Sequence, residues 1–98
     1  MTTNVFSALS HPLRRQVMTL LRKGPRTSGE LADAFDASWP TVSRHLSVLK
    51  DADLITAERS GTSITYRANT SVLEDAAAAL LALVGRDSGD DDLKEAAE

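Results

Sequence analysis

Two helix-start signals stand eleven residues apart in TSGELADAFDASWPTVSRHLSVLKDAD, residues 27–53. Thr27 and Glu30 make a capping-box pattern, in which hydroxyl and carboxylate each accept from the other residue's backbone N–H. Ser38 is a second cap, and the Trp-Pro that follows suits a first helical turn, where the missing N–H of Pro40 has no partner to lose. Leu31, Ala34 and Phe35 share one side of the first segment, and Val42, Leu46 and Leu49 share one side of the second. Asp36 and Ala37 leave room for only a tight link. Two short amphipathic helices joined this way predict a helix-turn-helix unit.

On a wheel of about 100° per residue, Pro40, Ser43, Arg44 and Ser47 lie opposite the apolar stripe of residues 39–51. Trp39 and Thr41 stand at the exposed first turn, and His45 flanks the stripe. This outer face carries no acid before Asp51. Small residues permit close approach to a major groove, an Arg can bond a guanine edge in two-pronged fashion, and Ser or Thr can bond bases or phosphates. A solvated helix face with one Arg would look much the same in isolation, so the flanking segments decide.

Residues 4–9 (NVFSAL) read as a short apolar turn or helix ending before Ser10-His11-Pro12, where His11 could cap the next segment. From Pro12, residues Leu13, Val17, Leu20 and Leu21 recur at helical spacing until Gly24-Pro25. Residues 54–59 (LITAER) and 63–68 (SITYRA) carry β-branched side chains around Ser60-Gly61-Thr62, a β-hairpin signal. Tyr66 alternates with Ile64 and is expected in the core. Residues 72–84 form an Ala/Leu-rich helix, capped by Asn69, Thr70 or Ser71 and closed by Gly85. The expected fold is mostly α with a small β-hairpin, a winged helix-turn-helix in the order α-α-α-α-β-β-α. Residues 1–85 are read as one DNA-binding and dimerisation domain, and 86–98 as an acidic, disordered tail.

The formal net charge is −3, but its distribution matters more. Residues 1–68 hold nine Lys/Arg against six Asp/Glu, whereas residues 69–98 hold two against eight. The body is mildly basic and the end acidic, so the low isoelectric point does not argue against DNA. The absence of cysteine removes disulfides, thiolate catalysis and thiolate metal sites. With no apolar run long enough for a bilayer and no charged-then-apolar leader, the chain is expected to be soluble and cytoplasmic, without membrane insertion.

The stretch from ALSHPLRR through GELA, PTVSRHLSVLKDADL and RSGTSITYR resembles the ArsR-type (ArsR/SmtB) winged-helix repressors. The agreement spans residues 4–84, and NTSVLEDAAAALLALV after the wing is most similar to the SdpR-like autorepressor branch. The resemblance implies a homodimer joined through its first and last helices, with two reading helices in successive major grooves of double-stranded DNA. It implies base contacts from Trp39, Pro40, Thr41, Ser43 and Arg44. The family often has Lys or Gln where Trp39 stands and His where Arg44 stands, so Trp39 is open to either stacking on DNA or packing on a neighbouring helix. Thr27 and Ser28 open the helix expected to cross the DNA backbone. Arg26, Ser47, Arg59, Thr62 and Arg67 complete the backbone set, the recognition helix being 39–51 and the wing 55–68. Arg14 and Arg15 could touch phosphates or pair at a dimer interface.

The helix of residues 72–84 is apolar nearly all round and needs cover on more than one side. Val5, Phe6, Leu9, Val72, Leu73, Ala76, Leu80 and Leu83 are the expected dimer interface. The Cys-x-Cys and His/Asp motifs of the family's metal sensors are absent, and adjacent Glu74 and Asp75 point in different directions. No metal site and no cofactor are expected. An enzyme is not expected either, since Ser43 and His45 at i,i+2 do not face each other and no phosphate loop or nucleophile turn is present. Repression through operator occupancy, relieved by a sequestering protein partner or a small-molecule effector, is the leading expectation. The alternative is a winged-helix interaction module whose DNA face is vestigial.

Overall fold

A computed structural model describes residues 4–86. Asn4 starts the chain's first helix, α1 (Val5–Ala8), by accepting from the N–H groups of Phe6 and Ser7 at 2.8 and 3.3 Å. His11 does the same for α2 (Pro12–Arg22), its Nδ1 accepting from Leu13 N–H at 3.1 Å. After Gly24-Pro25 the chain is extended as β1 (Arg26–Thr27), then enters α3 (Ser28–Ala34) and α4 (Trp39–Asp51). Strands β2 (Ile55–Ser60) and β3 (Ser63–Ala68) form the wing, and α5 (Thr70–Val84) closes the fold.

The expected two-stranded hairpin is a three-stranded antiparallel sheet in the order β1-β3-β2. Arg26 lies opposite Tyr66 and Thr27 opposite Thr65, so β1 gives the base of the wing a third strand. Two residues carry no alternation that a sequence pattern could reveal. The tip of the wing is a two-residue turn between the paired Ser60 and Ser63, and Gly61 (φ 63°) takes the left-handed conformation there without a Cβ clash. Helix α5 begins at Thr70, with Asn69 at the N-cap position but making no side-chain capping bond. Its end at Gly85 is left-handed, as the glycine signal predicts.

Val17, Leu21, Leu31, Val42, Leu46, Leu49, Leu54, Ile55 and Tyr66 form one buried cluster, with Ala8, Met18 and Ala52 filling around them. Helix α4 packs on α1, α2, α3 and β2, and Val42 and Leu49 are completely buried. Each such side chain stabilises the fold by about 1.5–3 kcal/mol relative to exposure. The inside of α4 therefore fixes the direction of its outside.

The end of α4 is set by Asp53, the only non-glycine described residue with positive φ (61°). Asp53 N–H donates to Lys50 O and Leu54 N–H to Leu49 O, each at 3.0 Å, the two bonds of a Schellman turn. A left-handed Asp is strained, and its charge sits at the negative end of the helix dipole. Asp53→Gly should raise stability by about 0.5–1 kcal/mol, read as a later urea midpoint at unchanged slope.

Candidate nucleic-acid interface

Helix α4 begins with a doubly bonded cap. Ser38 Oγ accepts from Thr41 N–H at 3.4 Å and donates to Thr41 Oγ1 at 3.0 Å. The Thr41 hydroxyl is thereby held in place while its own hydrogen stays available. Trp39, Pro40, Thr41, Arg44 and Ser47 are exposed, and Ser43 is half-buried. Trp39 is 39% exposed, so the ring lies partly on the surface rather than in the core. Arg44 makes no hydrogen bond within the described residues. The five residues expected at the bases thus lie in the first two turns of α4, outside its buried stripe, with a guanidinium among them that is free of partners in the described residues.

Behind this helix, Thr27 Oγ1 accepts from Glu30 N–H at 3.2 Å, and Glu30 Oε1 accepts from Thr27 N–H at 2.9 Å. The capping box is complete. Those bonds hold the Glu30 carboxyl below its ordinary pKa of 4.5, the N–H of Thr27 contributing most. They also occupy two of the donors that a phosphate would seek, leaving the N–H groups of Ser28 and Gly29. Ser28 Oγ is buried without a hydrogen-bond partner and does not face outward.

The expected backbone set is divided. Arg26 Nη1 donates to Gly24 O and Pro25 O, both at 3.0 Å, so this guanidinium staples its own turn. In the wing, Arg59 is paired with Ile64 and Arg67 with Thr56. Paired residues share a face, and the period of two puts Arg59 on the face of Ala57 and Tyr66 and Arg67 on the other. Thr62 is exposed at the tip. One flat surface cannot take both arginines, and Arg59 is nearer the tip.

Arg14 does not stand free as a phosphate contact. Its Nε donates to Ala8 O at 2.6 Å, Nη2 to Ser7 O at 3.3 Å, and Nη1 to His45 Nδ1 at 3.0 Å. The rings of His45 and His11 lie 4.2 Å apart, tilted by 41°. Arg15 Nη1 donates to Leu9 O at 2.9 Å. Sequence spacing gives no sign of a bond between residues 31 positions apart. Burial, helped by the charges of His11, Arg14 and Arg44, holds His45 below its ordinary pKa of 6.5.

The model of the bacterial regulatory protein arsR family matches residues 11–57, which run from the cap of α2 into the wing. The chain is 42% identical over 90 residues to the transcriptional repressor SdpR of Bacillus subtilis, covering 92% of this chain and 98% of that one. This chain belongs to the arsR family of bacterial regulatory proteins. It is 43% identical over 60 residues to the repressor SmtB of Mycobacterium tuberculosis, covering 61% of this chain but only 44% of SmtB. A solved structure, a possible transcriptional regulator for arsenical resistance, superposes with a TM-score of 0.73 at 33% identity and 94% coverage of both chains. Among the described residues no group of three or more His, Asp or Glu could hold a metal ion, and no helix is long and apolar enough to cross a membrane.

The cap of α3 is the part of this frame most open to a simple test. Thr27→Ala should lower stability by about 1 kcal/mol in a denaturant titration, whereas Thr27→Ser, which keeps the oxygen, should lose much less.

Proposed function

We propose that this arsR-family chain is a DNA-binding transcriptional repressor acting as a homodimer on an inverted-repeat operator. One observation carries the proposal: the exposed N-terminal end of α4 gathers Trp39, Thr41 and an Arg44 that is unpaired among the described residues, with no acidic residue on the helix before Asp51. The similarity to SdpR over nearly the whole of both chains favours repression, and favours DNA over a protein-only partner. Arg44 reads a base edge, Thr41 and Ser43 read bases or phosphates, and Ser47, Thr62 and Arg59 meet the backbone. Arg67 reaches phosphate only from the other side of the wing. Arg26 and Ser28 shape the site without leading it.

The dimer reading rests on exposed apolar surface. Phe6 on α1 and Leu80 and Leu83 on α5 are 45, 50 and 85% exposed, and Leu81 and Val84 add to that surface. Val5, Leu9, Val72 and Leu73 pack partly on the core beneath, and Ala76 is already covered within one chain. A second copy is the occupant that the family resemblance implies, and a two-fold pairing would set the reading helices about 34 Å apart. Relief of repression would come from a sequestering protein or a small-molecule effector.

Selection of duplexes from a random pool by the wild-type protein should return an inverted repeat. Arg44→Ala should then relax one base position in each half-site at a cost of about 1–3 kcal/mol. Binding that is salt-sensitive but blind to sequence would overturn the reading. In sedimentation, Leu80→Glu with Leu83→Glu should leave a folded monomer where the wild type is a dimer. A wild-type monomer at micromolar concentration would remove the dimer from the proposal.

A further inference from the structure

Helix α4 is joined to α1 through two side chains, Arg14 of α2 and a half-buried His45 on the flank of the buried stripe. The Arg14 guanidinium lies at the centre, donating to the carbonyls of Ser7 and Ala8 on one side and to His45 Nδ1 on the other. Arginine has only donors, so His45 Nδ1 must be an acceptor and the ring must carry its hydrogen on Nε2. His11 is constrained in the same way, since its Nδ1 accepts from Leu13 N–H. The His45 imidazole is therefore neutral in this arrangement, and the two rings lie 4.2 Å apart.

We propose that Arg14 and His45 are positioning residues for the reading helix, tying α4 to α1 by a bond that exists only while His45 is neutral, so that acidification weakens DNA binding. A proton on His45 Nδ1 would set N–H against N–H and a cation against the Arg14 guanidinium. Among the described residues, the charged and titratable groups facing His45 are all basic: Arg14 and His11 from the α2 side and Arg44 on its own helix. Helix α1 contributes carbonyls through Arg14 and no titratable side chain. Among the described residues no acid faces the ring to welcome the added charge. The depressed pKa of His45 has the matching sign: the folded form favours the neutral ring, so its contribution to stability is complete above about 6.5 and is lost as pH falls below that value.

The direction separates this idea from plain electrostatics. A histidine that merely added positive charge near phosphates would tighten binding at low pH. Here the opposite is expected, and the inference rests on the DNA-binding reading above.

The test uses a duplex selected by the wild-type protein at about pH 7.5, with affinity followed to about pH 5.5 at fixed salt. The wild type should weaken about threefold, the change expected partway through a titration in which one pKa unit separates free and bound forms, while circular dichroism stays unchanged. His45→Asn places an amide oxygen near the position of Nδ1, where it accepts from Arg14 and takes no proton. That variant should bind within about threefold of wild type at neutral pH and lose the pH dependence, whereas His11→Asn, which keeps a capping oxygen, should retain it. Ring 15N NMR of the wild type requires no variant and should show His45 neutral near pH 7.5 with hydrogen on Nε2. Affinity that is flat or rises on acidification, an equal fall in His45→Asn, a fall abolished by His11→Asn, or His45 in the other tautomer would each overturn the assignment. Failure to select any duplex at neutral pH would instead overturn the DNA-binding reading itself.

Discussion

The outside of α4 is aimed first of all by three side chains on its inside. Val42, Leu46 and Leu49 are buried against the rest of the domain, and a helix has little freedom to roll once such a stripe is seated. Their burial turns Trp39, Thr41 and Arg44 outward together. The caps then determine where the helix starts and stops: Ser38 on one side, Asp53 in its left-handed turn on the other. A groove-reading surface depends on direction and register as much as on residue type, and both are set here by core packing. The specificity of the outer face is thus underwritten by side chains that would touch no nucleic acid.

Local chemistry was legible in the sequence wherever one residue's preference decides the backbone. Thr27 and Glu30, Ser38, His11 and Gly85 mark their helix ends because cap bonds and a left-handed turn involve only near neighbours. The core stripe of α4 and the burial of Tyr66 were legible for a similar reason, since periodicity reports which side is covered. Strand β1 was not, because Arg26 and Thr27 become a strand only by pairing with β3. Nor was the division of Arg59 from Arg67 anticipated, although the alternation of LITAER and SITYRA contains it once register is known. The bonds from Arg14 to Ser7, Ala8 and His45 lay furthest from view, being three-dimensional coincidences of segments far apart in the chain.

Six of the arginines in this domain fall into two groups that composition cannot distinguish. Arg14, Arg15 and Arg26 donate to backbone carbonyls and act as structural ties. Arg44, Arg59 and Arg67 stand exposed. The mildly basic balance of residues 1–68 therefore overstates the charge available to a phosphate backbone. What remains is divided between the ends of α2 and α4, where Arg22, Lys23 and Lys50 stand, and the start of α4 with the wing, where a few well-placed cations matter more than an overall excess.

Helix α1 is four residues long, far below the length at which a helix persists alone in water. Its closing carbonyls are held by arginines from α2, and its apolar side chains rest partly on the completed core. Phe6 is consequently displayed only after the interior has formed. A chain still emerging from the ribosome, or one partly melted, has no ordered adhesive patch to offer a second copy. In the proposed dimer, order of assembly is thereby built into the molecule: the monomer must finish its own core before it can pair, which limits premature association during synthesis.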